Sequence, residues 1–324
     1  MARLFFWFIG LVVVAAGLAV GAYVWFDREV NAPGPLQTAT TIIIAPGSGA
    51  PAIARILAGL GVVRNPLVVE LEARRSGKAR ALKPGEYRFE PGVTVAGALD
   101  KLVRHDVVAR FVTVPEGLTS GEILTIVANA PGMTGEIKEA PEEGAVLPET
   151  YRYEWGDTRE ALVGRMKTAR AALLKELWEA RAPNLPLDTP EQAVVLASVV
   201  EKETGIAAER PRVAAVFVNR LRKRIKLQSD PTVIYGLAPK TGALDRALTR
   251  TDLEQATAYN TYVIDGLPPA PICNPGRAAI AAVLAPAASD DLYFVADGSG
   301  GHVFAATLEQ HNRNVAAWRK LNRN

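Results

Sequence analysis

Between residues 191 and 205 the chain reads Glu191-Gln192-Ala193-Val194-Val195-Leu196-Ala197-Ser198-Val199-Val200-Glu201-Lys202-Glu203-Thr204-Gly205. It starts like a helix: Asp188 or Thr189 can cap, Pro190 suits the first turn, and Gln192 stands three residues after Thr189 as in a capping box. Gly205 marks the stop, where a left-handed C-terminal residue is wanted. Between those signals the sequence is apolar nearly all round, which predicts a core helix rather than a surface one. Two carboxylates, Glu201 and Glu203, fall in its last turn. That end of a helix carries partial negative charge, and the preceding turns are Val, Leu and Ala. Dipole and desolvation both push a carboxyl pKa upward, as a general acid working near neutral pH requires. The plainer alternative is a helix emerging into solvent, with Lys202 screening both acids. Helical geometry does not choose between the two: Glu203 continues the Gln192, Leu196, Val199 row, and Glu201 continues Val194 and Ala197.

The 324 residues are 49% hydrophobic and 22% charged, enough for a membrane segment plus two or three folded units. A formal net charge of +3 supplies no global field for nucleic acid. The lone Cys273 excludes an intramolecular disulfide without excluding an oxidising compartment. His105, His302 and His311 lack metal-ligand spacing, Cys273 has no CxxC partner, and neither a P-loop nor a dinucleotide fingerprint occurs. No metal or cofactor is expected. The basic run Arg220-Leu221-Arg222-Lys223-Arg224-Ile225-Lys226 reads as the solvated end of a helix rather than a nucleic-acid contact.

After Met1-Ala2-Arg3, no charged residue occurs from Leu4 to Phe26, a run long enough to cross a bilayer, with Trp7, Tyr23, Trp25 and Phe26 placed to mark its interfaces. Asp27-Arg28-Glu29 follows instead of a small-residue cleavage site, so residues 4–26 read as an uncleaved anchor. Residues 1–3 are then expected in the cytoplasm and the remaining chain outside. Residues 27–40, with Pro33, Gly34 and Pro35, read as a linker. A small α+β unit follows over 41–130: strand 41–44, helices 51–60 and 66–75, strand 86–89, helix 94–105, strand 110–114, and helix 119–129 with Thr119 and Glu122 as a capping box. The strand, Pro-Gly turn and helix of 110–129 resemble the opening half of a LysM-type carbohydrate-binding module. Residues 131–146, rich in Pro, Gly and Glu, read as the join to a second domain over 147–324. There the pattern predicts a long helix over 159–181, another starting at Glu209-Arg210-Pro211, loops where Pro231 and Gly236 intervene, and a short helix over 251–259 capped by Thr251. A hairpin around Asp297-Gly298-Ser299-Gly300-Gly301 and a closing helix over 308–321 complete it.

Gln228-Ser229-Asp230-Pro231, Tyr235-Gly236 and Tyr259-Asn260-Thr261-Tyr262 place flat aromatics beside Asn, Gln and Asp, the mixture a glycan groove needs and ordinary loops also contain. These segments belong to a longer ordered series. It comprises Val199-Val200-Glu201-Lys202-Glu203-Thr204, Val216-Phe217-Val218-Asn219-Arg220-Leu221, Leu227-Gln228-Ser229-Asp230-Pro231-Thr232-Val233-Ile234-Tyr235-Gly236, Tyr259-Asn260-Thr261-Tyr262 and Gly266-Leu267-Pro268-Pro269. The series closely resembles the YceG-like endolytic murein transglycosylases, and Asn274-Pro275-Gly276, Tyr293-Phe294-Val295-Ala296-Asp297, Gly301-His302-Val303-Phe304 and His311-Asn312 continue the match.

The resemblance is strong over 147–318 and weaker from about Thr41 onward. It implies an α+β fold with an N-terminal transmembrane helix, a LysM-like domain and a lysozyme-like catalytic domain, held at a bacterial inner membrane and facing the cell wall. It also implies peptidoglycan strands as substrate, cell-wall synthases as neighbours, and cleavage between MurNAc and GlcNAc without water, leaving 1,6-anhydro-MurNAc ends and terminating strand elongation. In lytic transglycosylases the acid is the Glu of a Glu-Ser or Glu-Thr pair at a helix end, which falls here on Glu203-Thr204; Glu201 becomes the neighbour. By the same analogy Gln228, Asp230, Tyr235, Tyr259, Asn260 and Tyr262 line the groove. An obvious second acid is lacking, although folding can bring Glu201, Asp230 or Glu149 near. Ser229 and Cys273 are the clearest departures from the family pattern, and neither is expected to touch the acid. The rival readings are a non-catalytic, membrane-tethered glycan-binding scaffold for synthases and a hydrolase that uses water.

Overall fold

The structure, a computed structural model, describes residues 2–239 and 241–321. Met1 of the expected N-terminal flank and residues 322–324 of the expected second domain lie outside the described residues, as does Lys240. The chain is a mixed α+β protein, and it clusters into two compact units, Met1–Arg110 with Tyr153–Gly156, and Phe111–Arg152 with Asp157–Asn324.

The first unit begins with helix α1 (Ala2–Asn31). Among the described residues, Phe5–Asn31 is the one stretch long and apolar enough to cross a membrane. The helix runs past Phe26, where the sequence predicts a linker, because Val30 in its last turns is buried in the unit's core. Strand β1 (Thr40–Ile44), helices α2 (Ala50–Gly59) and α3 (Pro66–Arg75), strand β2 (Gly85–Phe89) and helix α4 (Val95–Arg104) follow. β1 and β2 pair antiparallel, with Thr40 opposite Phe89 and Ile44 opposite Gly85. Alternation along β1 sends Ile42 and Ile44 inward and leaves Ile43 exposed, as a strand with one covered face requires. Asn65 and Thr94 cap α3 and α4 by accepting from Leu67 N–H and Gly97 N–H.

Strand β3 (Arg110–Thr113) and helix α5 (Ser120–Ala128) come next, the latter with the predicted Thr119–Glu122 capping box. From Phe111 on they cluster with the second unit, where sequence patterning groups them with the first. Asn274 supplies the physical reason. Fully buried, it donates through Nδ2 to Leu118 O and Ser120 Oγ, accepts Val146 N–H, and exchanges backbone bonds with Gly117 and Leu118. Strand β4 (Thr150–Tyr153), which pairs with β3, and helix α6 (Arg159–Glu179) precede the central helix α7 (Pro190–Glu203).

In α7, every residue from Ala193 to Val200 is buried, so the all-round apolar pattern does mark a core helix. Each buried Val or Leu there stabilises the fold by roughly 1.5–3 kcal/mol, and an Asp in place of Val199 would break it. Around α7 pack α8 (Arg210–Arg222), α9 (Asp230–Leu237) and, after α10 (Arg250–Glu254), α11 (Arg277–Leu284). The antiparallel hairpin β5 (Tyr293–Ala296) and β6 (His302–Ala305) precedes the closing helix α12 (Leu308–Leu321).

Four local expectations fail and one helix goes unpredicted, each for an identifiable reason. α7 ends at Glu203 with Thr204 extended at φ −141°, and the Thr204 hydroxyl accepts Ile206 N–H, so Gly205 is not its left-handed terminator. α9 forms where breakers predict loops, because Pro231 falls in a first turn, whose N–H groups have no helical partner anyway. The cap of α10 is Thr249, not Thr251, since Asp252 completes its capping box. Helix α11 carries no sequence pattern of its own: its Ala-rich run is buried on several sides, so no polar face sets a period. Arg220, read as part of a solvated helix end, is buried and donates to Leu292 O at 2.7 Å and to Leu227 O at 2.7 Å.

Candidate active site

The last turn of α7 separates its two acids. Glu201 is locked: Oε1 accepts from Arg210 at 3.0 Å, Oε2 accepts Gly276 N–H at 2.9 Å, and its side chain is 4% exposed. Glu203 is half-buried and lines a cleft of about 370 Å³ in the second unit, a volume within the range of small-ligand sites. Its Oε1 accepts the hydroxyl of Ser229 at 2.5 Å. Ser229 was expected not to touch the acid, and the structure overturns this. The sequence identified a departure from the family pattern, but only folding brings residues 203 and 229 together.

Burial pushes the Glu203 carboxyl up to about 7, outweighing the Ser229 hydrogen bond, which favours the charged form. Asp230 adds to the rise, while His302 and Arg220 oppose it. A group poised there is half protonated near neutral pH, so it can give a proton and take one back.

The loop holding Ser229 is built on buried threonines. Gln228 takes a left-handed φ of 51° and donates its N–H to Thr261 O, a conformation costing about 1–2 kcal/mol in a non-glycine residue. Thr261 Oγ1 accepts Ser229 N–H at 2.9 Å and lies 2.8 Å from Thr232 Oγ1, which in turn donates to Ser229 O at 2.6 Å. Both threonines are fully buried. The alternation that buries Leu227 and Ser229 leaves Gln228 and Asp230 exposed.

Of the residues named from sequence, Glu203, Gln228, Asp230 and Tyr262 line this cleft together. The Tyr262 hydroxyl donates to Asp230 Oδ1 at 2.6 Å, and burial raises its pKa. Tyr235, Tyr259 and Asn260 are not among the lining residues. Tyr235 is buried and packs edge-on against Tyr259 with ring centres 4.9 Å apart. Asn260 is fully buried, donates to Leu253 O and Gln255 O, and accepts Tyr262 N–H at 2.9 Å. It therefore shapes the loop that carries Tyr262.

Phe217, Arg220, Leu227, Tyr293, Phe294, Leu308 and His311 complete the walls. Tyr293 and His311 stack with ring centres 5.1 Å apart. The buried Nδ1 of His311 has no hydrogen-bond partner among the described residues, and burial together with Arg220 holds the imidazole below its usual pKa. The motifs Tyr293-Phe294 and His311-Asn312 were visible in the sequence, but nothing in their spacing placed them beside Glu203. Beyond the cleft, His302 Nδ1 lies 2.7 Å from Glu209 Oε2. Among the described residues, no group of three or more His, Cys, Asp or Glu side chains is placed to hold a metal ion.

A carboxyl poised near neutrality, on a core helix and facing a cleft walled by tyrosines, has the chemistry that acid–base catalysis requires. Residues 42–317 match the sequence profile of the YceG-like family, and the chain belongs to that family. It is 28% identical to an endolytic murein transglycosylase of Bacillus subtilis, over 91% of this chain and 90% of that one. An endolytic murein transglycosylase of Streptococcus pneumoniae is 26% identical, over 95% of this chain and 64% of that longer protein. The crystal structure of a yceG-like protein from Listeria monocytogenes superposes with a TM-score of 0.53 at 27% identity, covering 85% of this chain and 98% of that one.

Proposed function

We propose that this protein is a membrane-anchored endolytic peptidoglycan transglycosylase with Glu203 as its single acid–base group. The observation that carries the reading is Glu203 itself, raised to about 7, facing the cleft and held by one hydroxyl. Membership of a family whose relatives bear the name endolytic murein transglycosylase supports it.

In this reading, protonated Glu203 gives its proton to the oxygen linking MurNAc C1 to GlcNAc as the C1–O bond breaks. The muramoyl 6-hydroxyl closes onto C1, and the Glu203 carboxylate takes the proton that the hydroxyl loses. The products are a GlcNAc 4-hydroxyl and a 1,6-anhydro-MurNAc end. No water is consumed and the acid is restored, so one carboxyl suffices where glycoside hydrolases use two. Gln228, Asp230 and Tyr262 offer polar groups to sugar hydroxyls, with Tyr293 and His311 as a flat wall.

Residues 41–130 are read as LysM-like, supported over 40–89 by the β1–α2–α3–β2 order with β1 and β2 paired antiparallel. The second unit is read as a lysozyme-like catalytic domain, supported by the acid at the end of a buried helix. α1 anchors the chain in a bacterial inner membrane with the folded units outside, beside the cell-wall synthases that the family resemblance implies as partners.

The test is cleavage of uncrosslinked glycan strands in water enriched in oxygen-18, followed by mass spectrometry. Internal fragments with anhydro ends and no heavy oxygen are expected. Fragments carrying heavy oxygen at a reducing end mean a hydrolase, and intact strands with retained binding mean a scaffold.

A further inference from the structure

Helix α1 does not stop where its apolar run ends but continues into the core of the first unit. The uncharged run ends at Phe26, yet the helix proceeds to Asn31, and Val30 is 2% exposed inside the unit. The first unit therefore has no flexible joint to the anchor. Arg75, the last residue of α3, places its guanidinium carbon 5.8 Å from the centre of the Phe26 ring. Phe26 is the last residue of the uncharged segment, so a bilayer spanned by α1 ends at about the level of Arg75.

An α-helix rises 1.5 Å per residue, so Leu71 lies about 6 Å and Leu67 about 12 Å from Arg75 along the axis of α3. These leucines are not core residues. Leu67 is 66% and Leu71 53% exposed, while Val68, Val69, Glu72 and Ala73 fill the buried face. The spacing i, i+4, i+7 sets Leu67, Leu71 and Arg74 in one outward stripe, with Arg75 at its membrane-level end. Arg74 pairs with Glu70 and Arg75 with Glu72, but both arginine side chains stay at least half exposed and their guanidiniums have donors to spare. Paired leucines beside arginines are what a helix lying on a lipid surface presents.

We infer that the outward face of α3, Leu67 and Leu71 flanked by Arg74 and Arg75, rests on the bilayer surface where α1 emerges. The leucines enter the boundary between headgroups and acyl chains, and the guanidiniums take lipid phosphates. This inference rests on the anchor reading above, and its consequence is a first unit held at fixed height rather than swinging on a tether.

The test uses the full chain in phosphatidylethanolamine–phosphatidylglycerol vesicles without any other protein. A nitroxide is placed at Leu67→Cys, Leu71→Cys or, as the aqueous reference, the exposed Arg88→Cys of β2. Cys273 is buried and does not compete for the label, and the unsubstituted chain serves as the blank. The protein is expected to float with the vesicles, with relaxation by a water-soluble nickel complex lost at positions 67 and 71 and kept at 88. Flotation with nickel reaching all three positions overturns the docking alone. Failure to float overturns the anchor reading, and the docking with it.

Discussion

Ser229 donates its hydroxyl to Oε1 of Glu203 at 2.5 Å from a position that is 1% exposed. One oxygen of the acid is thereby committed to the protein, while the side chain lines the cleft where substrate would enter. The hydroxyl cannot drift, because the Ser229 backbone is bonded to Thr261 and Thr232. Two opposed effects thus meet on one carboxyl: burial raises its pKa and the Ser229 hydrogen bond restrains the rise.

Ser229→Ala removes the restraint and the orientation together. A hydrogen bond to a group that becomes charged is worth about 1.5 kcal/mol or more, so kcat is expected to fall about tenfold or more. The alkaline limb of the pH–rate profile should move to higher pH, because the bond that lowered the Glu203 pKa is gone. Ser229→Thr keeps the hydroxyl and should restore most of the rate and the position of the limb. Steady-state kinetics across pH on all three proteins checks this.

The raised carboxyl also makes a stability prediction. Between the unfolded carboxyl range, about 4.3, and the folded value of about 7, the native state binds more protons than the unfolded chain, so stability falls as pH rises through that window. Glu203→Gln removes this dependence. The wild type should be less stable than this variant at pH 8 by about 3 kcal/mol, the size a rise from about 4.3 to about 7 implies, with a correspondingly lower melting temperature, and the gap should shrink toward pH 5. Calorimetry at the two pH values decides it.

The sequence showed the central helix because eight consecutive buried residues leave no polar face, and it placed both acids in the last turn because helix ends carry local signals. It could not choose between them by geometry. The difference lies in partners remote in sequence: Arg210 and Gly276 take Glu201, while Ser229 takes Glu203. Tyr235 and Asn260 look like sugar ligands in one dimension, but their neighbours in space are Tyr259 and loop carbonyls. Arg220 misled for the same reason: its position in a basic run hid carbonyl partners at Leu227 and Leu292.

Glu201→Ala leaves Arg210, whose side chain is 12% exposed, with the longer contact to Glu116 at 3.4 Å, and frees Gly276 N–H. Removing one partner of a buried pair costs about 3 kcal/mol or more. The variant should unfold at markedly lower denaturant, yet retain far more cleavage than Glu203→Gln when both are assayed where they are folded. Denaturant titration paired with single-turnover cleavage tests this division of labour.

His311 faces the cleft with Nδ1 buried and its ring stacked on Tyr293. With His311 and Tyr293 as a flat wall for a sugar ring, His311→Ala is expected to lose about 1 kcal/mol of binding, about a fivefold rise in KM. Folding should change little, since its helix, α12, has no fully buried residue among those described. Initial-rate measurements at varied strand concentration read the effect.

The central claim is that Glu203 alone moves the proton in both halves of the reaction. Wild type and Glu203→Gln should be incubated in parallel with uncrosslinked glycan strands, with fragments read by mass spectrometry and strand binding read by co-sedimentation. The account predicts internal fragments with anhydro-MurNAc ends from the wild type, and intact but still bound strands from Glu203→Gln. Anhydro-ended fragments released by Glu203→Gln at the wild-type rate would contradict it.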